Sequence, residues 1–125
     1  MRKILGLLIV LPLTSFAAVT EVDKAANDLC TAEWRILDKA ASTDGAIPPI
    51  INDELKRFYA MGYTLADFGL SENEFVAETL QTTEAYRKDH RPPSPYRYDA
   101  DTRDTLRELM IPACSRKMQL ELNKH

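Results

Sequence analysis

Apolar residues recur at three- and four-residue spacing along most of the chain, which is the pattern of amphipathic helices. Thr20-Glu21-Val22-Asp23 resembles a capping box, and Ser42-Thr43-Asp44-Gly45 is typical of a helix end. The apolar positions between these two signals are Val22, Ala25, Ala26, Leu29, Cys30, Ile36, Leu37, Ala40 and Ala41. The first segment is therefore predicted to be a helix of about five to six turns.

A second apolar stripe begins at Ile47-Pro48-Pro49, because proline is well tolerated in a first helical turn. Its positions are Ile50, Ile51, Leu55, Phe58, Tyr59 and Met61, and Gly62 follows as a helix stop. Thr64-Leu65-Ala66-Asp67 predicts a cap and one helical turn, followed by a chain reversal at Gly69. Leu65, Phe68 and Leu70 are expected to close the end of the core.

The third predicted helix follows the capping box Ser71-Glu72-Asn73-Glu74. Its apolar stripe is Phe75, Val76, Leu80 and Tyr86, diluted by threonines, so we expect it to be the most exposed helix. Asp99 or Asp101 caps the last segment, whose predicted buried face is Leu106, Leu109, Met110, Ala113 and Cys114. Pro112 is expected to kink this helix or to divide it into two.

No alternating β-branched run of useful length is present after Val19, so strands are not expected. The two cysteines, Cys30 and Cys114, lie in the first and last helical segments. In an exported chain such a pair is expected to form a disulfide, with unpaired thiols or a redox couple as the alternatives. The fold class is therefore predicted to be all-α: a small, bundle-like domain of four helices, clamped by one disulfide between its first and last segments.

The N-terminus has the features of a secretory signal peptide. Arg2 and Lys3 precede the apolar run 4–13, and Ser15-Phe16-Ala17 supplies small residues for cleavage. The run is short for a membrane span, so an uncleaved anchor is the less favoured interpretation. We expect residues 1–17 to be removed and residues 18–125 to form one domain in the periplasm, without a stable membrane anchor.

The mature chain is expected to be mildly acidic, because loss of Arg2 and Lys3 changes the net charge from −3 to −5. It has no basic stripe, so nucleic acid is not expected as a partner. With two histidines, at positions 90 and 125, it also lacks the spacing of a catalytic or zinc-binding set. We expect no enzymatic activity, no cofactor and no metal. Glu33 falls on the apolar arc of the first helix; we favour a position at its edge in contact with water over a buried functional acid.

The segment His90–Tyr98 interrupts the helical pattern, because Pro92, Pro93 and Pro95 favour an extended backbone. It also carries arginine and tyrosine, which are enriched at the energetic centres of interfaces. Arg91, Tyr96, Arg97 and Tyr98 are therefore the candidate partner-binding residues. The alternative is a stiff connector whose tyrosines pack back onto the helices.

These features favour protein recognition outside the cytoplasm, by an inhibitor that blocks another envelope protein. In its layout of signal, helical domain and single disulfide, the chain is similar to periplasmic immunity proteins that neutralise cell-wall-degrading toxins. The similarity is one of layout, and no residue roles are carried over from it. The alternatives are a periplasmic acid-stress chaperone, whose small disulfide-linked helical members share this layout, and a structural subunit of an envelope or secretion complex. The sequence leaves homo-oligomer formation open.

Overall fold

The protein is all-α, as predicted, with four α-helices and no strand among the residues that the structure describes. The structure is a computed structural model that describes residues 2–90 and 98–123, with side chains from residue 21 onward in those ranges. The elements are α1 (Arg2–Ser42), α2 (Ile47–Ala60), a 3-10 turn (Leu65–Phe68), α3 (Glu72–His90) and α4 (Ala100–Asn123). Within these ranges no helix combines the length and apolar character that a membrane crossing requires.

Helix α1 is central, because α2, α3 and α4 all pack against it. Its apolar stripe is buried as the spacing predicts, and Leu29, Ile36 and Ala40 have at most 1% of their surface exposed. The core is completed by residues of the other elements: Ile47, Ile50, Ile51, Leu55, Phe58, Leu65, Phe68 and Phe75. Full burial of one such large side chain contributes about 1.5–3 kcal/mol, so this cluster supplies much of the driving force for folding.

The start of α1 differs from the sequence-based expectation. The helix begins at Arg2 and runs without interruption through Thr20, where a capping box was expected. Residues 4–18 include five leucines and two alanines, which have high helix propensity and favour continuation of the helix upstream of that box. Removal of residues 1–17 stays a prediction.

The connection between α2 and α3 forms as predicted. Gly62 has a φ of +98°, a left-handed conformation that suits glycine after a helix end. Thr64 and Asp67 form a reciprocal capping box at the 3-10 turn, in which each side chain accepts a hydrogen bond from the other's backbone N–H. Leu65 and Phe68 are buried. The turn therefore closes one end of the core.

Helix α4 departs most from its predicted form. It continues through Pro112 instead of dividing there, although this residue cannot donate to the carbonyl of Glu108. Ser115, at 8% exposure, is the one buried residue in its described part, and Leu109, expected inside, is 64% exposed. Helix α3 buries Phe75 and Thr83, but 11 of its 19 residues are exposed, against 13 of 24 in α4, so both helices are largely exposed.

Candidate functional site

The predicted partner-binding residues fall into two groups. Arg91, Tyr96 and Arg97 lie outside the described residues. Tyr98 is described, is partly buried, and lies immediately before the N-cap of α4, where Asp99 Oδ1 accepts a hydrogen bond from the backbone N–H of Thr102 at 2.9 Å. Among the described residues, Tyr98 and its neighbours form the candidate site.

Asp38 of α1 is the centre of this region. Its Oδ1 accepts hydrogen bonds from the Tyr98 hydroxyl at 2.8 Å and from Arg103 Nε at 2.8 Å. Its Oδ2 accepts a third from Arg103 Nη2 at 2.7 Å. Two parallel bonds between a guanidinium and a carboxylate fix both orientation and distance. Asp38 thus joins Tyr98, which follows the proline-rich segment, and Arg103, near the beginning of α4, to the same point of α1.

Tyr86 of α3 extends this network, because its hydroxyl lies 2.9 Å from that of Tyr98. Tyr98 uses its single hydroxyl proton toward Asp38, so Tyr86 is the donor and Tyr98 the acceptor in this second bond. Burial raises the pKa of both phenols, and for Tyr98 the hydrogen bonds to Tyr86 and Asp38 raise it further. Both hydroxyls therefore stay protonated at physiological pH and act as fixed hydrogen-bond groups.

His90, the last residue of α3, completes what we call the Asp38 cluster: Asp38, Tyr86, His90, Tyr98 and Arg103. The imidazole centroid lies 4.2 Å from the ring of Tyr86 and 5.6 Å from that of Tyr98. Trp34, one helical turn before Asp38, contacts Tyr86 edge-on with centroids 6.4 Å apart. His90 and Tyr98 flank residues 91–97, so the two residues bordering the proline-rich segment are in ring contact.

A second contact fixes α3 to the end of α1. Arg87 Nε donates to the carbonyl oxygen of Ala40 at 2.7 Å, and Nη2 donates to that of Gly45 at 2.7 Å. These bonds place a cation and two donors at the C-terminal end of α1, where unpaired carbonyls and the helix dipole favour them. Helix α3 is thus held next to the cluster.

Cys30 and Cys114 form the predicted link between the first and last helices. Their sulfur atoms lie 2.05 Å apart, at the distance of a disulfide bond, and their Cα atoms 5.8 Å apart. Cys30 is only 2% exposed. The pair joins α1 to α4 on the C-terminal side of Pro112, whereas Asp38 and Arg103 join the same two helices at the beginning of α4.

Glu33 lies against this disulfide and is partly buried, at the edge of the apolar stripe. Its Oε2 is 3.1 Å from Cys114 Sγ. Burial raises the pKa of the Glu33 carboxyl from its ordinary 4.5 to about 7, although Lys117 opposes the shift. A disulfide sulfur has no proton to donate, so this contact is a hydrogen bond only when the carboxyl is protonated.

The atoms of Cys30, Glu33 and Cys114 are close enough to share a metal ion. Metal ligation requires thiolates, however, and both sulfurs are committed to the disulfide. The chemistry of this donor set therefore does not favour a metal site in the oxidised protein.

Several residues of this region were not predicted from the sequence. Asp38 and Arg103 meet across a separation of 65 residues, and nothing in their local spacing indicates a pair. Glu33 did carry a signal, since it lies four residues after Leu29 and three before Ile36, within the buried stripe.

No family model, curated protein or solved structure gives a significant match to this chain.

Proposed function

We propose that this protein is a periplasmic, non-enzymatic protein-binding protein that acts as an inhibitor or immunity protein against another envelope protein. The single observation that supports the proposal is the Asp38 cluster, which secures the two residues bordering the segment 91–97. That segment carries Arg91, Tyr96 and Arg97, the candidate contact residues.

Securing the borders of the segment favours binding, because less conformational entropy is lost on association. Ordering rotamer-rich side chains and loops at an interface costs about 0.5–1.5 kcal/mol for each side chain. A segment that is proline-rich and secured at its borders loses less freedom when a partner binds. His90 is in ring contact with Tyr98, and Tyr98 donates a hydrogen bond to Asp38. These contacts hold both bordering residues in place in the absence of a partner.

The acid-stress alternative receives less support from the site. An acid-activated chaperone needs protonation of its carboxyls to favour unfolding. Glu33 acts in the opposite direction, because its raised pKa means that the folded state holds this proton more tightly. This residue therefore opposes acid unfolding at the disulfide that joins α1 to α4.

The test is capture of a partner from a periplasmic extract of the source organism, with the mature wild-type protein as bait and quantification by mass spectrometry. We expect one protein in stoichiometric amount, and its loss when the bait carries Tyr96→Ala with Arg97→Ala. The matched control is Tyr59→Ala with Arg107→Ala, which removes one exposed tyrosine and one exposed arginine elsewhere. A heterogeneous set of proteins, or equal capture by both double variants, would contradict the proposal.

A further inference from the structure

A small cavity lies between α1 and α2, and it uses no residue of the Asp38 cluster. Its volume is about 130 Å³. Asp28, Thr31 and Arg35 of α1 and Glu54, Arg57 and Phe58 of α2 contribute to its lining. The cavity thus combines carboxylates, guanidiniums and one aromatic surface in a small volume.

Glu54 is the unusual member of this set, because it is only 6% exposed. Its Oε2 has no hydrogen-bond partner within the described part of the chain. Its Oε1 lies 3.8 Å from Arg57 Nη1, which is longer than a hydrogen bond. A buried carboxylate oxygen without a donor is costly, and a cationic N–H group in the cavity would satisfy it.

The two guanidiniums complement this acid. The Arg57 side chain is 61% exposed and has Glu54 as its ion-pair partner only at that long distance. Arg35 is exposed and makes no hydrogen bond or ion pair with any residue that the structure describes. Guanidinium groups bind carboxylates through paired, charge-assisted hydrogen bonds. The cavity therefore offers sites for a carboxylate beside its site for a cation.

Asp28 does not change the balance of charges in the cavity, because its Oδ2 already accepts two hydrogen bonds. That oxygen accepts hydrogen bonds from Lys24 Nζ at 2.9 Å and from the Tyr63 hydroxyl at 2.8 Å. A simple amine would satisfy Glu54 but would add a third cation beside Arg35 and Arg57. A simple carboxylate would bring a second anion toward Glu54. A ligand that carries both charges avoids both conflicts.

We propose that this cavity binds a small zwitterionic α-amino acid. The ammonium group donates to Glu54 Oε2, the carboxylate pairs with Arg35 and Arg57, and the ligand's side chain lies against Phe58. A cavity of about 150 Å³ accommodates a molecule of roughly six non-hydrogen atoms, such as benzene. The observed volume of about 130 Å³ therefore selects amino acids of the size of glycine or alanine.

Isothermal titration calorimetry on the mature, disulfide-bonded protein tests this assignment with glycine, L-alanine and D-alanine as probes. We expect saturable binding of at least one of them, with a dissociation constant on the order of 1 mM. Methylammonium and acetate, which each carry one of the two charges, should bind at least tenfold more weakly. No saturation with any of the three amino acids, or equal affinity for acetate, would overturn the proposal.

Variants connect the binding to the named groups. Glu54→Gln and Arg57→Gln should each weaken amino-acid binding at least tenfold. Glu78→Gln and Arg107→Gln, which alter exposed residues outside the cavity, should leave it unchanged. Arg57 is exposed, so its variant tests the assignment even where replacement of the buried Glu54 disturbs folding. Unchanged affinity in Arg57→Gln would overturn the assigned carboxylate contact and, with it, the proposed site.

Discussion

Glu33 Oε2 lies 3.1 Å from Cys114 Sγ, so a titratable carboxyl touches the covalent link between the first and last helices. The partly buried carboxyl faces a sulfur that can only accept a hydrogen bond. This contact is favourable when Glu33 carries its proton and unfavourable when it is charged. We therefore expect the stability of the link between α1 and α4 to depend on the protonation of Glu33.

Glu33→Gln is predicted to change how stability depends on pH. The folded-state pKa of about 7 exceeds the ordinary value of 4.5, so the stabilising contribution is complete below pH 4.5. It is lost as the pH rises toward and through 7, by up to about 3 kcal/mol. Glutamine keeps the shape and a donor but does not titrate, so the variant should lose less stability between pH 5 and pH 8. Urea unfolding at the two pH values measures the difference.

The control for this prediction is Glu78→Gln, which replaces an exposed glutamate of α3. It should retain the wild-type pH dependence. Identical pH dependence in the wild type and in Glu33→Gln would show that Glu33 does not titrate differently in the folded state.

Loss of the disulfide is predicted to lower the stability of the folded protein markedly. The bond joins residues 84 positions apart, and closing a loop of this size stabilises the folded state by about 4–5 kcal/mol in the chain-entropy treatment. Cys30→Ser with Cys114→Ser, and reduction of the wild type, should lower the melting temperature by similar amounts. Thermal unfolding followed by circular dichroism checks this, and unchanged melting would mean that the bond contributes nothing to stability.

Tyr98→Phe is predicted to destabilise the protein by about 1–2 kcal/mol, because Asp38 loses one donor and Tyr86 loses its acceptor. Tyr59→Phe is the matched control. Its hydroxyl donates to Glu72 at 3.0 Å in an exposed position, so its loss should cost less. Chemical denaturation of both variants gives the comparison, and equal costs would contradict a special role for Tyr98.

Pro112→Ala is predicted to stabilise α4. The helix is continuous through this residue, so alanine can adopt the same backbone conformation and restore the hydrogen bond to the Glu108 carbonyl. The expected gain is about 1–3 kcal/mol, less than the full cost of an interior proline, because alanine also increases the freedom of the unfolded chain. A lower urea midpoint in the variant would show that proline is required for the local backbone shape.

The helical core was predictable because burial follows periodicity. The apolar stripe of α1 is buried from Ala26 to Ala41, as its three- and four-residue spacing indicates. The same periodicity indicates the burial of an acid that falls on an apolar stripe. Glu54 lies three residues after Ile51 and four before Phe58, so the spacing of the stripe in α2 itself indicates that this residue is buried.

The Asp38 cluster could not be predicted in the same way. Asp38 reaches its partners in α3 and α4 because those helices pack on α1, and the sequence does not specify their relative rotation. The place of Tyr98 after three prolines indicates a candidate binding residue. Its bond to Asp38 depends on the position of α4, which a weak apolar pattern leaves open. Helix α4 does not divide at Pro112, which lies between the Asp38–Arg103 pair and the disulfide, the two links that hold α4 to α1.

We propose that the Asp38 cluster holds in place the residues on either side of the segment 91–97, through which the protein binds its partner. The most direct measurement is the affinity of the captured partner, by isothermal titration calorimetry, for the wild type and for Tyr96→Ala with Arg97→Ala. Interface residues of these types contribute 2 kcal/mol or more where they are central, so affinity should fall by about thirtyfold or more. Unchanged affinity in this variant, with a normal circular dichroism spectrum, would show that Tyr96 and Arg97 do not make the proposed contact.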